Sequence, residues 1–166
     1  MTEEKVEISY MDFKILSESW NSYMLEDDTI LKARLIMISY GKVENPKPNR
    51  PNFLAATHTV YGVESPPKTR GAGDPNSYTL AELISDLEPG KEDLKFRTLS
   101  EGWSEYVLED STRLSLRLTP ARVMRTKKFD LVGNPQYVVQ SVTIPKIVAK
   151  DPKKLAVMST IAGTTS

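Results

Sequence analysis

The chain says the same thing twice. Residues 13–35 read FKILSESWNSYMLEDDTILKARL and residues 96–118 read FRTLSEGWSEYVLEDSTRLSLRL. At an offset of 83 and without gaps, 13 of the 23 positions are identical. Identity at that density reads as a tandem duplication, so the fold must be one that a unit of roughly 80 residues can make twice. Units of that size have marginal cores, and the two are expected to pack together and share apolar surface. The expected division is repeat 1 over residues 1–90 and repeat 2 over residues 91–166.

Each repeat is expected to open with a hairpin. Tyr23, Leu25, Leu31, Ala33 and Leu35 alternate with mostly polar neighbours, as do Tyr106, Leu108, Leu114, Leu116 and Leu118. That is the period of a half-buried strand. Pairing Leu25 with Thr29 and Tyr23 with Leu31 keeps the whole set on one face, whereas a slip of one residue scatters it. The loop is then three residues, a type I turn closed by a left-handed residue at Asp28 or Ser111. Asp accepts that conformation better than Ser, so modest strain is expected at Ser111.

The second strand continues to Tyr40 in repeat 1, and Pro120 predicts a bulge or an edge in repeat 2. A third strand follows in each: residues 53–63 after a Pro-rich loop at 44–51, and residues 137–144 after a turn at 132–135. A short helix is expected to end each repeat. Thr79 and Glu82 form a capping box before Leu80, Leu83, Ile84 and Leu87. Asp151 and Pro152 supply an N-cap and first-turn proline before Leu155 and Met158, with Gly163 as the stop. Residues 64–76 read as a flexible connector, and residues 163–166 as a disordered tail. The expected fold is mostly β, a small antiparallel meander or barrel-like unit used twice, each with one short helix. The architecture resembles SH3-like and OB-like small barrels, without matching a sequence motif of either.

The hairpin register places Trp20 opposite Arg34, and Trp103 opposite Arg117, on the face away from the Tyr/Leu set. An Arg stacked on a cross-strand Trp is a cation–π contact worth roughly 0.5–1 kcal/mol when exposed. Such a pair can serve as a platform that stacks a base or grips an anion. It can equally close the second face under a helix or against the other repeat. The structural role is favoured, because a duplicated fold keeps packing residues twice more readily than working sites. The retained acid pairs, Glu26-Asp27 and Glu109-Asp110, read as turn residues at a tip too wet to raise a pKa. Ser17-Glu18 and Ser100-Glu101 read as caps at the start of the strand.

Composition removes several chemistries. There are no cysteines and one histidine, His58, which excludes disulfides, thiol nucleophiles and a classical zinc site. His58 reads as a strand residue, since no serine elbow exists to pair with it. Gly71-Ala-Gly73 is too short for a phosphate loop. No apolar run approaches the ~20 residues of a membrane span, and the acidic start MTEEKVEISYMD has no signal-like apolar core. A cytoplasmic protein without membrane contact, metal or cofactor is expected.

Charge is uneven although the net is zero. Residues 1–30 carry eight acids against Lys5 and Lys14, while residues 113–128 carry six bases and no acid. The run Arg122, Arg125, Lys127 and Lys128 belongs to repeat 2 alone and could follow a nucleic-acid backbone, or could protect a strand edge. The expected function is a non-enzymatic interaction or scaffold module, a pseudo-dimer binding a protein partner or itself. The alternative is a nucleic-acid-binding protein that uses this basic strand with Trp103 and Arg117. Candidate binding residues are therefore Trp20, Arg34, Trp103, Arg117, Arg122, Arg125, Lys127 and Lys128.

Overall fold

The computed structural model describes residues 5–151 and 153–160. Among these, ten strands run in the order β1 (Ile8–Met11), β2 (Phe13–Ser17), β3 (Trp20–Leu25), β4 (Ile30–Val43), β5 (Phe53–Glu64), β6 (Phe96–Ser100), β7 (Ser104–Leu108), β8 (Arg113–Phe129), β9 (Pro135–Val148) and β10 (Leu155–Thr160). One α-helix, α1 (Leu80–Ile84), and a short 3-10 turn at Pro67–Thr69 lie between β5 and β6. The first sheet has the order β10-β5-β4-β3-β6, with β1 also on β4, and the second has the order β2-β7-β8-β9.

The hairpins have the register that alternation predicts. Tyr23 faces Leu31 and Trp20 faces Arg34. The Leu25 amide donates to the Thr29 carbonyl at 2.9 Å, and that of Leu108 to Thr112 at 2.8 Å. Asp28 and Ser111 close the turns with φ of 63° and 68°. The alternating apolar faces of both sheets meet in one core, in which Tyr23, Leu31 and Leu35 of the first sheet join Tyr106, Leu114, Leu118 and Tyr137 of the second. Both sheets are open, so the barrel-like expectation is corrected to two stacked open sheets. β8 shifts register between Pro120 and Arg122, and β4 does so at the equivalent place, between Met37 and Ser39. The end strands of each sheet, β10 and β6 in the first and β2 and β9 in the second, do not pair with each other, so neither sheet closes.

Each sheet draws strands from both halves of the chain. β2 leaves its own hairpin and pairs with β7, Phe13 beside Leu108 and Ile15 beside Tyr106. β6 makes the reciprocal pairing with β3, Phe96 beside Leu25 and Thr98 beside Tyr23. These partners match at the offset of 83, and so does the shift that follows each pairing.

Two further expectations change. The helix expected around Leu155 and Met158 is strand β10, paired in parallel with β5. A short apolar run fits either period. Here Leu155 and Val157 pack against the core while Met158 points out, 48% exposed, so alternation wins through tertiary pairing. Pro152, Gly163 and the tail at 163–166 lie outside the described residues. The expected flexible connector is anchored instead. Gly71 donates to the Gly133 carbonyl at 2.9 Å and Asp74 to that of Asp130 at 2.9 Å. A side chain at Gly73 would strike the Leu131 carbonyl, and one at Gly71 the Phe129 ring. The glycines thus let this segment lie on the β8–β9 turn. α1 does form as expected. The Glu82 amide donates to Thr79 Oγ1 at 3.2 Å, and Leu83 is buried with Met124 and Val138.

Candidate interaction surface

β3 and β4 place Trp20 and Arg34 on the outer face of the first sheet, and the Arg34 guanidinium lies 5.7 Å from the Trp20 ring centroid. Arg117 lies 5.0 Å from the Trp103 centroid on the outer face of the second sheet. Across each strand pair the third member is β-branched, Val60 beside Arg34 and Ile144 beside Arg117. Trp20 is 45% exposed and Trp103 half-buried. Neither tryptophan is sandwiched between the sheets, because the cores meet on the opposite faces. The pairs therefore lie on the outer faces and not between the two halves, Trp20 exposed and Trp103 half-buried.

The two pairs differ in their charge partners. Glu18, 7% exposed, approaches Arg34 at 3.4 Å, whereas Arg117 makes no ion pair among the described residues. The Nε of both guanidinium groups is buried without a protein hydrogen-bond partner among the described residues. Each guanidinium lies over an indole face.

The retained acids do more than cap and turn. Tyr106 Oη donates to Glu18 at 3.0 Å, and Tyr23 Oη donates to Glu101 at 2.8 Å. Phe13 stands edge-on to Tyr106 at 5.7 Å and Phe96 edge-on to Tyr23 at 5.9 Å. β2 and the residue after it thus bring Phe13 and Glu18 to Tyr106, and β6 with the residue after it brings Phe96 and Glu101 to Tyr23. Burial pushes the Tyr106 hydroxyl up to about 12, with Glu18 adding to it against the Met37 amide. Tyr23 is raised by burial first and Glu101 second. Both hydroxyls therefore stay protonated donors. The identity of Phe, Glu and Tyr in both repeats was legible, but their exchange was not, since no local pattern reports which strand a short segment joins.

The wet-tip expectation fails at Asp27, whose side chain is 5% exposed. It accepts from Tyr137 Oη at 2.5 Å and lies 3.4 Å from Arg125. Its counterpart Asp110 accepts from Lys153 at 2.7 Å. Burial pushes the Asp110 carboxyl up, but Lys153 and Thr112 outweigh it and bring the pKa down from 3.8 to about 2.

The basic strand is partly neutralised where it stands. Arg125 also pairs with Glu88 at 3.0 Å. Lys128 lies 3.5 Å from Asp86 and 4.7 Å from the Tyr78 ring centroid. Lys127 is exposed and Arg122 half-buried. Two of the four cations thus hold the 86–88 segment on β8. Neither side of this run brings it next to Trp103 and Arg117 in the strand register, since Arg117 faces Ile144 and Arg125 faces Tyr137.

His58 is a strand residue of β5, opposite Ile36. Among the described residues no group of three His, Asp or Glu side chains could hold a metal, and no helix is long and apolar enough to cross a membrane. One feature without any sequence signal is a cleft of about 290 Å³ between the sheets, lined by β5, β8, β9, β10 and α1. Its lining becomes contiguous only through the tertiary fold. No protein-family model matches the chain, and no curated protein or solved structure is significantly similar to it.

Proposed function

We propose that the chain is a non-enzymatic interaction module, a pseudo-dimer built by tandem duplication, that grips a protein partner on its outer sheet faces. One observation carries the proposal: a Trp–Arg pair stands on the outer face at the same place in both halves, with Trp20 exposed and Trp103 half-buried. Exposed aromatic and Arg side chains next to aliphatic ones are the composition of binding hot spots. Arg117 is the stronger candidate anchor, since it has no acid of its own among the described residues and stands between Trp103 and Ile144. A partner offering a carboxylate beside an apolar side chain fits it. The buried acids support a structural use of the acidic side chains, because Glu18 and Asp27 are occupied by Tyr, Arg and turn amides.

The test is a crosslinking pull-down from the source cell's extract, quantified by mass spectrometry, with sedimentation velocity of the pure protein alongside. Proteins crosslinked by the wild type should fall at least tenfold with R117A and with W103A, while the melting temperature changes little. An unchanged crosslinking profile in both variants and in W20A overturns the proposal.

A further inference from the structure

The cleft of about 290 Å³ between the sheets is uncharged: among the described residues its lining includes no Asp, Glu, Lys, Arg or His. Tyr61 reaches it from β5, and Ser141 and Thr143 reach it from β9. Leu118 of β8, Val139 of β9 and Ile84 of α1 supply apolar wall. Ile84 is 49% exposed, so that wall also meets solvent. Cavities of this size hold small molecules when apolar walls are combined with a few placed polar groups.

The polar groups here have a proton to spare. Tyr61 Oη and Ser141 Oγ lie 2.6 Å apart and tie β5 to β9, and either can be the donor. The hydroxyl of Thr59, which also lines the cleft, interacts with that of Tyr61 as well. Three hydroxyls carry three protons, and two bonds among them use two. Among the described residues these oxygens make no further side-chain hydrogen bond. Burial pushes the Tyr61 hydroxyl up from its ordinary value, so it stays protonated. One O–H is therefore left to donate, whichever way the bonds run. A carbonyl oxygen can accept it. A carboxylate or ammonium group would lose its hydration with no opposite charge in the lining to replace it.

We propose that the cleft binds a small uncharged molecule, its apolar body against Leu118 and Val139 and a carbonyl oxygen on the hydroxyls of Tyr61 and Ser141. This site shares no residue with the outer-face reading, so either can fail alone.

The experiment titrates three probes of nearly one shape, acetophenone, benzoate and α-methylstyrene, into the isotope-labelled full chain and follows its amide resonances. Acetophenone should saturate in the millimolar range or tighter, with shifts confined to the parts of β5, β8, β9, β10 and α1 that line the cleft. Benzoate should bind at least about tenfold more weakly, because its charge finds no partner. Combining Y61F with S141A removes both bridging hydroxyls. It should weaken acetophenone at least about threefold, while α-methylstyrene, which has no oxygen, binds no worse. T143W, which fills the cleft, should abolish binding of acetophenone at unchanged melting temperature, whereas W103A and R117A should bind it as the wild type does. Benzoate binding as tightly as acetophenone overturns the proposal, and so do shifts away from the cleft or no saturation at tens of millimolar. These arms need only the wild type, so they decide even where a variant fails to fold. Equal losses of acetophenone and α-methylstyrene in the double variant also overturn it, since the hydroxyls would then only hold the sheets together.

Discussion

At the scale of single residues, the two hairpin tips show how one retained motif is finished differently in its two settings. Asp27 and Asp110 both accept the amide two residues on, from Thr29 at 3.0 Å and Thr112 at 3.1 Å. That is the Asx-turn use of a short carboxylate. Beyond the turn, Asp27 meets Tyr137 and Arg125, whereas Asp110 meets Lys153 just before β10. The Asp110 pKa of about 2 in the fold against an ordinary 3.8 fixes the sign of its pH dependence. A depressed carboxyl contributes stability above its unfolded pKa and loses it as pH falls through the folded value. The Lys153 contribution should therefore be present above about pH 4 and vanish near pH 2. In urea denaturation, K153A should be less stable than the wild type at neutral pH, with the gap closing across that window. A gap independent of pH would mean that Lys153 acts through its contact with the Phe53 ring, 4.1 Å from Nζ, and not through Asp110.

At the scale of elements, local pattern decided what could be read. The hairpins were legible down to register, because alternation, a three-residue loop and the left-handed position all agree on one pairing. The capping box at Thr79 was legible for the same reason. The β10 segment was not, since six residues satisfy both a helical face and a strand face until β5 supplies a ladder. Nor was the anchoring of residues 64–76, whose Pro and Gly content reads as freedom when taken alone. The glycines there are steric requirements. Gly133 has φ of 89°, and a Cβ on it would lie 2.2 Å from the Gly71 carbonyl oxygen. G133A must meet both the backbone and the contact penalty, so a loss of at least about 1 kcal/mol is expected. G62A, with nothing within 4 Å of the added carbon, should change stability by less than about 0.5 kcal/mol. Equal melting temperatures for the two variants would show that the connector is not held on the β8–β9 turn.

At the scale of the molecule, the reciprocal pairing of β2 with β7 and of β6 with β3 makes the two halves of the chain depend on each other. A packed pair of independent units would bury side chains across an interface. Here each half also completes the other's backbone ladder and supplies the Phe and Glu that hold its Tyr. The polar clasp is doubled by the main chain: Asn21 Nδ2 donates to the Leu118 carbonyl at 3.2 Å and Ser104 Oγ to that of Leu35 at 2.9 Å. Removing either exchanged ring should therefore weaken the whole structure rather than one half. F13A and F96A each delete a half-buried ring and its edge-on contact, a loss of about 2–4 kcal/mol with incomplete burial taken into account. Thermal unfolding followed by far-ultraviolet circular dichroism and by tryptophan fluorescence should show one transition in the wild type. Both variants should lower that same midpoint with the two probes still coincident, since Trp20 and Trp103 report on opposite sheets. Two separated transitions, with F13A moving one and F96A the other, would instead describe two autonomous units, with the exchanged strands as accessory contacts.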